Sequence, residues 1–172
     1  MIPGEDACCI LLYGDIGEYS DVTAAAIVRE LMEAEASGKR IDVRINSNGG
    51  DVYTGIAIFN ALRGSKADIH IYVDGIAASM ASVIALCGKP VEMSKYARLM
   101  LHSVSGGCYG NKTELRRCLE EVEALENTLC EMYAPKLGTS VEDIRARYFD
   151  DADHWLKADE ALALGFIDGV YD

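Results

Sequence analysis

Positive charge is scarce in this sequence of 172 residues, which has 28 Asp and Glu but only 16 Lys and Arg, a formal net charge of -12. A protein that binds nucleic acid by neutralising phosphates needs the opposite balance, so this class is excluded. Proline is also scarce, with 3 residues, and 50% of the chain is hydrophobic. Collagen-like repeats, linker arrays and disordered chains do not have this composition. The sequence therefore predicts a single domain over residues 1–172.

Long apolar runs are also missing. The longest nearly uncharged stretch, Gly75 to Gly88, is too short to span a bilayer. The N-terminal stretch carries acidic rather than basic residues before its apolar segment, which is not the pattern of a secretory signal. We therefore expect a cytoplasmic protein that does not bind membranes.

Cysteine is present, but its spacing suggests neither a metal site nor a disulfide framework. No two cysteines form a C-x-x-C motif, and the 3 histidines are far from zinc-ligand spacing. We expect small, buried, reduced thiols, no metal and no cofactor. The positions are Cys8, Cys9, Cys87, Cys108, Cys118 and Cys130.

The first hundred residues alternate between strand and helix patterns. Apolar runs and period-two alternation indicate strands, and apolar residues three and four apart indicate helices. The first helix is capped by Ser20 or Asp21 and ends at Gly38. This alternation predicts an α/β layered fold with right-handed crossovers. The predicted strands are Cys8–Tyr13, Ile41–Ile45, Ala67–Asp74 and Ala97–Leu101, and two further helices follow Asp51 and cover Ile76–Leu86.

The last third of the chain is dominated by one long helical pattern from Asn111 to about Ala134. Its apolar residues recur in steps of three and four, and Arg and Glu occupy its other faces. Such a helix either lies along the sheet or docks onto a neighbouring subunit, and the pattern alone leaves both open. A short helix over Val141–Arg147 and a final one ended by Gly165 follow.

Three features lie where α/β folds place their sites, beyond the carboxyl ends of strands. Gly49 and Gly50 follow the second predicted strand, and paired glycines let a backbone approach a ligand and point N–H groups at it. Ser79 lies on the first turn of the helix that follows Gly75, among alanines that leave room for a substrate. His102 ends the fourth predicted strand.

Each feature alone has a plain structural interpretation: a turn, an early-helix serine and a satisfied histidine. Together they supply the parts of a nucleophilic relay. In such a relay a histidine takes the proton of a serine, a carboxylate orients the histidine, and backbone N–H groups bind the oxyanion.

At these residues the sequence resembles the ClpP family of serine peptidases, from about Leu11 to Val170. Two other segments are more similar to the phage and prophage branch of the family, the head maturation proteases. The resemblance implies an α/β fold of the ClpP/crotonase-like type, a spiral of strand-turn-helix units with a protruding long helix, the handle, at about residues 104–137. The family segments are Ile45–Gly50, Gly75–Met80, Met100–His102 and Asp153–Ala161, and the branch segments are Asp51–Ile58 and Tyr72–Gly75.

The resemblance assigns a role to five residues. It implies that Ser79 is the nucleophile, His102 the general base and Asp153 the carboxylate that orients the histidine. The backbone N–H groups of Gly50 and Met80 would form the oxyanion hole.

The choice of carboxylate has two neighbouring alternatives, Asp150 and Asp151. The resemblance favours Asp153 over them because Trp155 and Leu156 follow it at the family spacing.

The resemblance also implies partners. Members of the family assemble into rings, commonly of seven subunits and stacked in pairs, and the handle would join two rings. The expected function is a serine endopeptidase that hydrolyses peptide bonds without ATP. Its polypeptide substrates would be phage head, capsid or scaffold proteins, in the cytoplasm or inside a phage procapsid.

The chain departs from the family pattern at three places. Asn48 replaces a proline, which loosens the loop of the oxyanion donor, and Lys157 stands where Ser or Thr usually caps a helix. The chain starts almost at its first strand, so we expect no axial gate and no docking to an ATPase unfoldase. Three alternatives stay open: a housekeeping-type subunit working with an ATPase, a catalytically silent ring with a structural capsid role, and a crotonase-like acyl-CoA enzyme.

Overall fold

The computed structural model of the chain describes residues 2–3 and 6–172, with side chains from residue 6 onward. These residues contain eight strands and six helices. The strands are β1 Ile2–Pro3, β2 Ala7–Tyr13, β3 Arg40–Ser47, β4 Ile69–Ala78, β5 Val91–Ser94, β6 Arg98–Leu101, β7 His154–Lys157 and β8 Gly169–Tyr171. The helices are α1 Ala24–Ala36, α2 Val52–Gly64, α3 Met80–Ala85, α4 Lys112–Leu137, α5 Val141–Tyr148 and α6 Ala158–Ala163.

The strands form one largely parallel sheet in the order β1-β2-β3-β4-β5-β8, with β6 pairing to β4 and β7. Strands β2, β3, β4, β5 and β8 pair in parallel with their neighbours, and only β1 is antiparallel to β2. Parallel neighbours need crossover connections, which the intervening helices supply. The predicted α/β fold is therefore confirmed, and it is consistent with the ClpP fold.

Strand β4 is longer than its sequence pattern indicates. Its first half, Ile71–Val73, pairs with β5, and its second half, Ile76–Ala78, pairs with β6. We expected Gly75 to end the strand, and this was wrong. A Cβ on Gly75 would lie 2.5 Å from Asn46 Oδ1, so the glycine permits a close side-chain approach inside a continuing strand.

Other boundaries also differ from the sequence-based expectations. Helix α1 is capped by Thr23, whose hydroxyl accepts from Ala26 N–H at 3.2 Å, and not by Ser20 or Asp21. The predicted helix Ile76–Leu86 shortens to Met80–Ala85 because its first residues belong to β4. Strands β1, β5, β7 and β8 were not predicted.

The chain divides into two compact units, one comprising the chain up to Met100 with Trp155–Asp172, the other Leu101–His154. The first unit contains the sheet core. Alternate residues of β2 and β3 are buried on one face, as are the inward residues of α1 and α2. Each such side chain contributes about 1.5–3 kcal/mol by leaving water. The buried residues include Ile10, Leu12, Ile41, Val43, Ile45, Ile27, Leu31, Ile58 and Leu62.

The second unit contains the long helix α4 and the short helix α5. Asn111 caps α4 in a reciprocal box with Glu114, and Gly138 ends it in the left-handed conformation. Near its C-terminus α4 packs on the α5 region, where Tyr133 and Phe149 meet edge to face with ring centroids 6.2 Å apart. The predicted long helix is confirmed, whereas the single domain over residues 1–172 stays a prediction.

The helices of the described part of the chain include none with both the length and the apolar character needed to cross a membrane.

Candidate active site

Ser79 occupies the tight turn between β4 and α3, one residue before the helix and not on its first turn as expected. Its backbone has φ 52° and ψ -125°, a conformation that residues other than glycine rarely adopt. Holding a side chain there costs about 1–3 kcal/mol, and such strain persists only where the surrounding structure enforces it.

Hydrogen bonds on both sides enforce this turn. Ser79 N–H donates to Met100 O in β6 at 2.9 Å. Ser79 O accepts from Ser82 N–H at 3.0 Å and from Ser82 Oγ at 2.6 Å. Ser82 is 1% exposed and its hydroxyl is engaged with backbone, so it serves the turn.

Gly49 packs directly against the Ser79 turn. A Cβ on Gly49 would lie 2.6 Å from Ala78 O, 2.8 Å from Met80 N and 2.9 Å from Ser79 Cβ. Its φ of 93° also lies in the region that favours glycine. The glycine loop and the serine turn are therefore neighbours, as the sequence predicted, and only glycine permits their contact.

Backbone hydrogen bonds pin this loop to the segment after β2. Ile16 N–H donates to Gly49 O at 2.9 Å, and Ile16 O accepts from Asp51 N–H at 2.8 Å. A Cβ on Gly50 would lie 2.1 Å from Ile16 O. The buried Ser47 Oγ accepts from Gly49 N–H at 3.1 Å. These bonds hold the loop where the family pattern has a proline at position 48.

The second unit contains the predicted histidine, His102, and the candidate carboxylates that follow Phe149. His102 Nδ1 lies 3.5 Å from Asp153 Oδ1, and the side chains are 27% and 58% exposed. Asp150, an alternative carboxylate, contacts a different histidine: its Oδ1 is 2.6 Å from His154 Nε2. The bonds from His154 and from Ala152 N–H lower the pKa of Asp150. Asp153 is thus within 3.5 Å of His102, whereas Asp150 contacts His154.

Hydrogen bonds also fix the segments that flank this pair. The nearly buried Ser103 accepts at its Oγ from Asp151 N–H at 3.0 Å. Asp151 has a φ of 66°, a second left-handed residue. Val104 N–H donates to Glu126 Oε1 of α4 at 3.0 Å. Sequence reasoning missed Ser103, Asp151 as a turn residue and Glu126, because no spacing or motif marks them.

Within residues 6–172, no group of three or more His, Cys, Asp and Glu side chains could hold a metal ion.

Helix α6 has the weak N-terminal cap that the sequence predicts. Lys157 offers no side-chain acceptor to the helix, and the backbone N–H of Lys157 donates to Glu160 Oε2 at 2.8 Å.

Serine hydrolases of α/β fold also have a strained serine at a strand-to-helix turn and a contact between a histidine and a carboxylate. The sequence model of the Clp protease family matches residues 7–172, and the chain belongs to this family. Family membership indicates a serine-type peptidase.

Curated relatives agree. The chain is 32% identical over 157 residues to the "ATP-dependent Clp protease proteolytic subunit" of Bacteroides fragilis strain ATCC 25285, covering 89% of this chain and 75% of the relative. It is 32% identical over 157 residues to the protein of the same name from Bacteroides fragilis strain YCH46, covering 89% and 70%. The predicted family is confirmed; its phage branch stays a prediction.

Proposed function

We propose that this protein is a serine endopeptidase that hydrolyses peptide bonds without ATP, with Ser79 as nucleophile, His102 as general base and Asp153 as the orienting carboxylate. The observation that carries the proposal is the strained backbone of Ser79 against Gly49. A fold maintains such strain where it must present a side chain in one direction.

The proposed roles of the two ring nitrogens of His102 follow from its contact with Asp153. In the proposed mechanism Asp153, which faces Nδ1, would hold the proton on Nδ1 and leave the Nε2 lone pair to accept the Ser79 proton. The Nδ1–Oδ1 separation of 3.5 Å is longer than a hydrogen bond. Catalytic hydrogen bonds often tighten only when substrate binds.

The oxyanion of the tetrahedral intermediate would be bound by the backbone N–H groups of Gly50 and Met80. Met80 follows the nucleophile directly, and Gly50 follows the glycine that packs on the serine turn. Removing one such donor from a serine hydrolase typically costs about 10²–10³ in kcat.

The test is intact-mass analysis after treatment with a fluorophosphonate, which labels only activated serines. We expect one adduct per chain on the wild type and none on Ser79→Ala. Ser105→Ala is the control, because Ser105 is an exposed serine outside the Ser79 turn and should not take the label. Labelling of Ser79→Ala, or an unlabelled wild type that forms rings, would contradict the proposal; the second result would favour the catalytically silent ring.

For the substrate, we propose phage head proteins, processed by a homo-oligomeric ring in the cytoplasm or inside a procapsid. Support comes from the two segments similar to the phage branch, Asp51–Ile58 and Tyr72–Gly75. The test is incubation with the capsid and scaffold proteins of the phage or prophage that encodes the chain. Discrete cleavage that Ser79→Ala lacks is expected; intact substrates would reject this role.

A second candidate is a proteolytic subunit that works with an ATPase, and the names of the Bacteroides relatives favour it. The two candidates differ in one measurement. Degradation of a folded protein that requires both an added Clp ATPase and ATP supports the second; cleavage of head proteins without ATP supports the first.

A further inference from the structure

The chain between His102 and α4 lies back along that helix in a regular register. Val104 N–H donates to Glu126 at 3.0 Å. Two residues later, a Cβ on Gly106 would lie 3.4 Å from Val122 Cγ2. Each advance of two residues along the segment is thus matched by a return of four residues along the helix.

The same register holds at the other end of the segment. A Cβ on Gly110 would lie 2.7 Å from Glu114 Cβ. Two extended residues span about 6.6 Å and four helical residues about 6 Å, so the extended segment and helix α4 keep the same register along their length. Four residues on from Glu114 is Cys118, and two residues back from Gly110 is Cys108.

The register therefore pairs Cys108 with Cys118, and the contacts agree. Cys108 Sγ lies 3.9 Å from Glu114 O, on the turn that leads to Cys118. The Cys118 thiol is the largest of the influences that raise the pKa of Cys108. Cys108 is exposed and Cys118 is half-buried, and neither is in a disulfide.

We infer that Cys108 and Cys118 form a disulfide within one chain when the protein meets a low-molecular-weight disulfide such as oxidised glutathione. The exposed Cys108 thiolate attacks the glutathione disulfide, forming a mixed disulfide and releasing one glutathione thiolate. The Cys118 thiolate then attacks the Cys108 sulfur and releases the second. The protein thiols lose two protons and two electrons, and the oxidant becomes two molecules of glutathione.

The consequence is a covalent staple between α4 and the segment that follows His102. The remaining cysteines are poorly placed to compete. Cys8 and Cys130 are buried, and burial raises the pKa of the half-buried Cys9 and raises that of Cys87 to about 12. The inference goes beyond the proposed function and does not depend on it, since the reaction uses neither Ser79 nor His102.

The test is oxidation of the folded protein with glutathione disulfide, alkylation of the remaining thiols in denaturant and intact-mass analysis. We expect alkylated cysteines to fall from the 6 of the reduced protein to four. Trypsin should then yield one linked pair of peptides, residues 99–112 and 118–136, that separates on reduction. Formation should be faster at higher pH, because the thiolate is the attacking species and the pKa of Cys108 is raised.

Variants decide between this pairing and others. Cys108→Ser and Cys118→Ser should each abolish the linked peptides. Cys130→Ser is the matched control, because Cys130 lies in the same tryptic peptide as Cys118 and should leave the link intact. Ser79→Ala should form it as the wild type does, whatever its peptidase activity. A glutathione adduct without a link, a link to Cys130, or disulfide-bonded dimers alone would overturn the inference.

Discussion

Ser103 Oγ accepts a hydrogen bond from the backbone N–H of Asp151 at 3.0 Å. Ser103 directly follows His102, and Asp151 lies two residues before Asp153. The bond therefore ties together the two segments whose side chains meet at 3.5 Å. Ser103 is 8% exposed and Asp151 holds a left-handed backbone, so water is a poor substitute for this acceptor.

Ser103→Ala should lower kcat about fivefold to tenfold with KM little changed, because a lost hydrogen bond of about 1 kcal/mol loosens the Asp153 segment. The rate of fluorophosphonate labelling should fall in parallel. Ser103→Thr keeps the hydroxyl and should restore most of the rate. If both variants lose the same fraction of kcat, and the loss parallels a loss of thermal stability, Ser103 has only a packing role.

Asp153→Asn should cut turnover by about 10⁴, because an amide cannot hold His102 in the required tautomer. Asp150→Asn is the matched control, since Asp150 contacts His154 and should leave turnover near wild type. The measurement is peptide hydrolysis with circular dichroism to show that each variant folds. A large loss in Asp150→Asn with none in Asp153→Asn would show that the carboxylate is misassigned.

Gly49→Ala should reduce labelling of Ser79 and destabilise the protein by about 1–3 kcal/mol, since the new Cβ would lie 2.6 Å from Ala78 O at a φ of 93°. Gly64→Ala is the control, because nothing lies within 4 Å of its Cβ and it ends a helix. Urea unfolding and labelling rates check both. Wild-type labelling in Gly49→Ala would refute the close packing.

The strand and helix alternation could be predicted because each long element shows its own period. The short strands β1, β5, β7 and β8, of two to four residues, are too brief to show one. A glycine in an apolar run predicts the end of a strand, but Gly75 instead makes room for the Asn46 side chain of the neighbouring strand β3. The sequence around Gly75 does not show this contact. Long-range contacts of this kind leave no local pattern.

The candidate site divides in the same way. Ser79, His102 and the glycine loop follow strand ends and could be found from sequence. Their supports could not, since the Ser103–Asp151 bond joins residues 48 apart and the φ of Ser79 depends on Met100 in another strand.

Asp74 should make stability depend on pH at the acidic end. Burial raises its pKa, but hydrogen bonds from Arg44, Tyr13 and Tyr171 outweigh burial, and the net pKa lies below the ordinary value of 3.8. A lowered folded pKa means stability that is present above the unfolded pKa and is lost as pH falls below about 4. Urea unfolding between pH 7 and pH 2 should show this loss, and Asp74→Asn should show a smaller one. If the free energy of unfolding of Asp74→Asn falls with pH as steeply as that of the wild type, Asp74 is not the source of the loss.

Helix α4 should mediate self-association through its exposed N-terminal half. Leu115 is 49% exposed and Leu119 59%, one turn apart on the same face, whereas Leu129 is buried within the unit. Leu115→Glu with Leu119→Glu should therefore shift the protein to smaller species in sedimentation velocity while circular dichroism stays unchanged. Leu129→Glu would instead unfold the unit and cannot serve as the test. Exposed Met32 on α1 supplies the control, since Met32→Glu places a charge on another surface. If the paired glutamates leave the sedimentation coefficient of an assembled ring unchanged, the subunits associate through a different surface.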